Sequence, residues 1–249
     1  MPPRGLRPVG IALVDKPPGP SSFAIVATLR RRTRARTGHA GTLDPFASGL
    51  LVLLSGAATR LAPCFVGLDK RYVTDIDLTT TTTTGDPEGG VVERHPAPTE
   101  AELDAAVEGL RGRIELQIPA ASAVKIDGER AYRLARRGVE VEMPSRSSDV
   151  HDLTVEAYDG RTVRLSLHVS SGTYVRSLAQ SLGGHCTTLR RTAVGPFSVD
   201  EADRDAASAR LLDVEAVLAR LSEDDLDRVP ASVRNGVLAA AAGGGGGAA

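Results

Sequence analysis

The 249-residue sequence has two cysteines, no tryptophan, three lysines and no long apolar run. Cys64 and Cys186 cannot build a disulfide framework or a four-thiolate site, and five scattered histidines show no close ligand spacing, so redox and zinc chemistry are poor expectations and no metal site is expected. The longest stretch of large apolar residues, Leu50–Leu54, is far too short to cross a bilayer, and the N-terminus lacks the apolar core of a signal peptide. These absences lead to the expectation of a soluble, cytoplasmic protein with no membrane partner. What is present, 41% hydrophobic and 24% charged residues, is ordinary for a globular chain able to bury a sizeable core.

The shortage of lysine leaves 27 arginines among the 30 basic residues. The net charge of -1 hides their placement: the last 49 residues carry nine acids against five arginines, leaving the first 200 at +3. Arg30, Arg31, Arg32, Arg34 and Arg36 fall within seven positions. Such a cluster can pair with phosphates through its planar forks. Taken alone, it reads first as a solvated helix end.

Val9–Val14 reads as a strand ending at the turn Asp15-Lys16-Pro17-Pro18-Gly19-Pro20. Ser21 or Ser22 can cap a helix with Ile25, Val26 and Leu29 on its apolar face. Gly38–Pro45 is a loop, with the apolar element Ala47–Leu54 behind it. Arg71–Leu78 alternates as a strand, and the threonine-rich stretch after it reads as a loop or hairpin tip. Thr99 with Glu102 signals a helix start, with the helix running to Leu110. Strands are expected at Arg113–Ile118, Val150–Val155 and Val163–Val169, and short helices over Arg130–Arg137 and from Tyr174. Elements interleave without a steady βαβ rhythm, which favours a mixed α+β sheet. From about Asp200 the chain turns acidic and alanine-rich, with Leu211–Leu221 helix-like. The Ala/Gly segment Ala239–Ala249 reads as a disordered tail.

Gly38-His39-Ala40-Gly41-Thr42-Leu43-Asp44-Pro45 is the first segment that suggests chemistry. Its glycines allow unusual backbone angles, and Pro45 biases Asp44 toward an extended conformation, so one carboxylate is held at a defined angle. An isolated Asp-Pro is usually just a turn. The whole loop, with Ala47-Ser48-Gly49, resembles the signature of the TruB family of tRNA pseudouridine-55 synthases. Further islands agree in order: Asp15-Lys16-Pro17-Pro18-Gly19, Asp69-Lys70-Arg71-Tyr72, Thr82–Asp86 with Gly89, Ser122-Ala123-Val124-Lys125, Gly172-Thr173-Tyr174-Val175-Arg176 and Leu189-Arg190-Arg191.

The resemblance implies a mainly antiparallel central sheet with flanking helices, the pseudouridine synthase fold, over residues 9–199. It implies an isomerase acting on a uridine in the T-arm of tRNA, without a cofactor. By this likeness Asp44 is the nucleophile, Tyr72 transfers a proton, and Tyr174 and Leu189 border the uracil. His39 enters the space left by the flipped base, and Arg30, Arg31, Arg32, Arg34, Arg36 and Lys16 contact RNA. A carboxylate in a water-poor pocket is driven to protonate unless a fixed cation opposes this, and Arg176 is the candidate cation. Each of these side chains also has an ordinary structural reading, plain core for Leu189 and a half-buried strand aromatic for Tyr72.

Thr79–Pro98 and the run Ile126–Tyr132 with Gly138 and Val139 resemble the stand-alone bacterial branch, so no guide RNA is expected and a monomer is. Three departures stand out. The segment at Ala121 is one residue short, and the chain between Arg176 and Leu189 is about six residues shorter than usual. The C-terminal RNA-binding domain of the PUA type is missing or vestigial, with 200–238 its possible remnant and Arg234-Asn235-Gly236-Val237 the trace of its first strand. The competing reading is a non-catalytic tRNA-binding protein or tRNA-folding chaperone with a degraded active site.

Overall fold

The computed structural model describes residues 8–122, 124–126, 128–131, 137 and 142–244. In chain order the strands are β1 (Gly10–Lys16), β2 (Thr37–His39), β3 (Ser48–Ser55), β4 (Lys70–Asp77), β5 (Thr80–Thr82), β6 (Val91–Arg94), β7 (Gly112–Gln117), β8 (Lys125–Ile126), β9 (Glu129–Arg130), β10 (Ser145–Tyr158), β11 (Thr162–Val169), β12 (His185–Val194) and β13 (Phe197–Ser198). The helices are α1 (Ser22–Thr33), α2 (Ala62–Val66), α3 (Glu100–Glu108), α4 (Val175–Ser181), α5 (Val214–Leu218), α6 (Glu223–Leu226) and α7 (Ala231–Gly244). The expected helix over 130–137 falls largely on residues outside those described, as do Ala123, Asp127, Tyr132, Gly138 and Val139. The fold class is α+β, with mixed, mainly antiparallel pairing. The chain divides into two compact units, Met1–Lys70 with Arg190–Ala249, and Arg71–Leu189.

In the first unit β1 and β2 pair antiparallel with β3, the end of β12 runs parallel to β3 at Arg190 and Arg191, and β13 folds back on β12. Residues Leu50–Leu54 are all buried. Their sequence shows no alternation because both faces of the strand are covered. Leu50, Val52 and Leu54 join Ile11, Leu13 and Phe65 in a core that also takes Val214, Val217 and Val237 from the C-terminal helices. The acidic segment is thus packed on this unit through its apolar residues.

Three expectations for that segment change. Helix α5 covers only five residues of Leu211–Leu221, because Leu212 pairs with Ile11 through two backbone hydrogen bonds of 2.7 and 3.3 Å and Asp213 caps the helix. Arg234–Val237 lies inside α7 and is no strand. The same helix continues through Ala239–Ala242, where alanine, the best helix former, extends it into the stretch read as a disordered tail.

In the second unit the strand order is β12-β4-β11-β10-β7, with β10 antiparallel to both β11 and β7. Val163, Leu165, Leu167 and Val169 of β11 are buried and alternate with exposed or half-buried residues. Thr99 and Glu102 form the expected capping box on α3. The threonine-rich stretch is a hairpin, β5 paired with β6. Strand β12 was not legible in advance: Thr187, Thr188, Arg190 and Arg191 break any apolar alternation.

The short link between α4 and β12 closes by a Schellman motif. Gly183 adopts φ +75°, its N–H donates to the carbonyl of Gln180 at 2.9 Å, and the N–H of Gly184 donates to that of Ala179 at 2.9 Å. A Cβ on Gly184 would lie 2.4 Å from the carbonyl oxygen of Asp77. Leu189 remains buried in β12 after this tight turn.

Candidate active site

Helix α1 begins at Ser21, whose hydroxyl accepts from the N–H of Ala24. Ser22, one residue on, is buried and faces the Asp44 loop. Its hydroxyl donates to the carbonyl of Leu43 at 2.8 Å and accepts from the Leu43 N–H at 2.9 Å. The remaining carbonyls of the loop are satisfied in turn. Arg191 donates from Nη2 to Gly41 at 3.1 Å and from Nη1 to Thr42 at 3.4 Å. The Ala47 N–H donates to Asp44 at 3.2 Å, and the Gly19 N–H donates to Pro45 at 2.8 Å. Lys16 donates from Nζ to Pro45 at 3.1 Å, to Ala47 at 2.7 Å and to Pro17 at 2.9 Å.

Every carbonyl from Gly41 to Pro45 therefore accepts a hydrogen bond. Two of the holding groups are cations with almost no exposure, Lys16 at 0% and Arg191 at 1%. Arg191 also donates from Nε to Leu50, fixing the loop to β3. Gly49 is the contact point: with φ +103° its missing Cβ would stand 2.2 Å from the Arg191 carbonyl oxygen, so only glycine fits. The loop is a rigid mount for the half-buried Asp44 side chain.

This corrects one expectation. Lys16 is no surface contact for RNA, because its ammonium is fully buried on backbone carbonyls of the loop. Ser22 and Arg191 hold the loop by hydrogen bonds that no sequence pattern announces, although Leu189-Arg190-Arg191 is one of the matching islands.

Arg30, Arg31, Arg32, Arg34 and Arg36 are all exposed. The first three fill the last turn of α1, where they also complement the helix dipole. Arg32 donates to the carbonyl of Ala209, and Arg34 closes the helix in the left-handed conformation at φ 52°. His39 is half-buried beside the loop and packs edge-to-face with Phe23, with ring centroids 5.4 Å apart. Burial, and after it the Arg191 guanidinium, holds the His39 imidazole below its ordinary pKa, so the ring is neutral at neutral pH.

The second unit carries the other expected residues. Tyr72 is buried on β4, and Leu189 is buried on β12. Tyr174 is the N-cap of α4 and packs partly buried against Ile118 and Met143. Arg176, two residues on, is no helix-surface charge but 3% exposed, with Asp86 at 5% and 3.4 Å away. Its Nη1 also donates to the Thr84 carbonyl at 2.8 Å, and its Nη2 to that of Ala121 at 3.0 Å. Asp86 accepts in turn from the Thr84 hydroxyl and the Glu88 N–H. The Thr82–Asp86 island thus serves to fix a buried guanidinium, a role the sequence did not disclose.

The first unit thus carries a carboxylate on a held loop, and the second a buried, clamped arginine. The family model described as "TruB family pseudouridylate synthase (N terminal domain)" matches residues 29–175. The class is thereby a pseudouridylate synthase, an isomerase. A protein of Thermobifida fusca named tRNA pseudouridine synthase B is 44% identical over 88% of this chain and 84% of its own length. One of the same name from Aromatoleum aromaticum is 39% identical over 93% of this chain and 81% of its own. The chain belongs to the TruB family. Among solved structures, a chain of a Cbf5-Nop10-Gar1 complex superposes with a TM-score of 0.59 at 31% identity, covering 77% of this chain. This chain spans about half the length of that one, 50%.

Proposed function

We propose that this chain converts uridine 55 in the T-loop of tRNA to pseudouridine, with Asp44 as the nucleophile. The observation that carries the reading is the loop in which each carbonyl around Asp44 is held, two of them by Arg191 and others by Ser22 and Lys16. Attack at a sugar carbon needs a carboxylate already at its angle, and fixing the loop beforehand removes that entropic cost from the reaction. The names of the relatives, tRNA pseudouridine synthase B, supply the substrate class.

In the proposed course a carboxylate oxygen of Asp44 bonds C1' as the glycosidic C1'–N1 bond breaks, the uracil turns while enclosed, and a C1'–C5 bond forms as the C1'–O bond to Asp44 breaks. The proton on C5 leaves and one is gained at N1, so no atom is gained or lost overall. Tyr72 handles the proton, Arg176 supplies the fixed positive charge, and Tyr174 and Leu189 border the base. A stacked loop uridine has to be flipped out, and neutral His39 fills the space it vacates. Substrate recognition needs no guide RNA, and the enzyme acts as a cytoplasmic monomer.

The test is tritium release from tRNA labelled at uridine C5, with the product mapped by sequence position. Release confined to the T-loop uridine is expected. Tight binding with no release would leave a tRNA-binding or folding protein instead.

Replacing Arg30, Arg31 and Arg32 together by alanine should weaken tRNA binding and flatten its dependence on salt. Each phosphate contact contributes about 0.7–0.9 to the slope of log affinity against log salt. Because Arg32 already bonds Ala209, a flattening of about 1.5, the share of Arg30 and Arg31, is expected. Filter binding between 50 and 200 mM salt, on the order of the range where such slopes are read, measures it. An unchanged slope would return the cluster to a solvated helix end.

A further inference from the structure

Phe23 is 73% exposed, the largest exposure of any big apolar side chain among the described residues. It stands on the first turn of α1, where the neighbouring Ser22 is committed to the Asp44 loop. Its ring meets His39 at an interplanar angle of 84°. An aromatic left open to water contributes little to folding, so core packing does not account for it.

Two features, the open ring and the arginines beyond it on α1, point to one kind of ligand. Arg30 follows seven residues later, nearly the same helix face and about 10 Å along the axis. The exposed side of α1 thus offers an aromatic face at one end and guanidinium groups at the other, the combination that binds unpaired nucleic acid. The occupant that fits an open ring with arginines nearby is a nucleobase whose own backbone lies on the arginines.

We infer that Phe23 is a nucleobase-stacking residue that receives an unpaired base of the RNA loop and props the His39 ring. The inference rests on the RNA-modifying reading above. Phe23 acts in binding and positioning and does not touch the reacting atoms. Its contribution is insensitive to salt, unlike that of the arginines.

The chain has no tryptophan, so Phe23→Trp introduces a single indole at the site. Adding an unmodified T-arm stem-loop RNA should quench its fluorescence, saturating at the Kd found by filter binding. Phe23→Ala should raise that Kd about tenfold, within the range found when a base-stacking aromatic is truncated, and leave the salt slope as in the parent. Phe23→Trp should keep the parent Kd within about twofold, since a larger ring still stacks. Absence of quenching at saturating RNA, or parental affinity in Phe23→Ala, overturns the inference. Tritium release by the unmodified chain is scored separately: its failure would remove the catalytic reading, while the indole signal still decides whether a base stacks on residue 23.

Discussion

Asp44→Asn is expected to abolish tritium release while leaving tRNA binding within about threefold of the parent, a margin below 1 kcal/mol. Asparagine matches aspartate in size, and Pro45 restricts the backbone of the residue before it in the same way. The carbonyls of the loop do not depend on the side chain either, because Lys16, Ser22, Arg191 and the Gly19 N–H hold them. What the substitution removes is the negative charge and the nucleophilic oxygen. Loss of a nucleophile lowers turnover by about 10⁴-fold or more. Single-turnover measurement with enzyme in excess separates this from weak binding. Residual release above about 1% of the parent rate, far more than such a loss allows, would remove Asp44 from the chemistry. The Michaelis constant carries a second check: a defect in binding with an unchanged single-turnover rate would make Asp44 a substrate contact.

Much of the fold was legible where one face of an element is buried. The alternation of Val163, Leu165, Leu167 and Val169 gave strand β11, and Thr99 with Glu102 gave the start of α3. Legibility failed where long-range pairing decides. Strand β12 places Arg191 inside the first unit, and a buried arginine in a strand has no period to find. Leu212 looked helical but is drawn into pairing with Ile11. The candidate site was readable as a motif, because glycines and Asp-Pro mark an unusual loop. Its support was not, because Lys16 beside two prolines looks like an exposed turn until the carbonyls of Pro45 and Ala47, about thirty residues away, converge on it. Asp86 was hidden for the same reason: a buried ion pair with Arg176 joins residues ninety positions apart.

Lys16→Met tests whether that burial matters to function. Methionine has nearly the length and volume of lysine, so the site stays filled, but the carbonyls of Pro17 and Ala47 lose their donor while Pro45 keeps the Gly19 N–H. A buried acceptor left unpaired costs about 1–3 kcal/mol, so a loss of about 3 kcal/mol in unfolding free energy is expected by urea titration. The loop should also lose its fixed angle, and turnover should fall about 100-fold, the scale of an ångström-sized misplacement. The salt slope of tRNA binding separates this role from the one expected from the sequence. A lysine on a phosphate would flatten that slope by about 0.7–0.9 when removed. A lysine that holds the Asp44 loop would leave it unchanged and lower the single-turnover rate instead. A flattened slope with normal stability and normal turnover would show that the buried hydrogen bonds of Lys16 carry no functional weight.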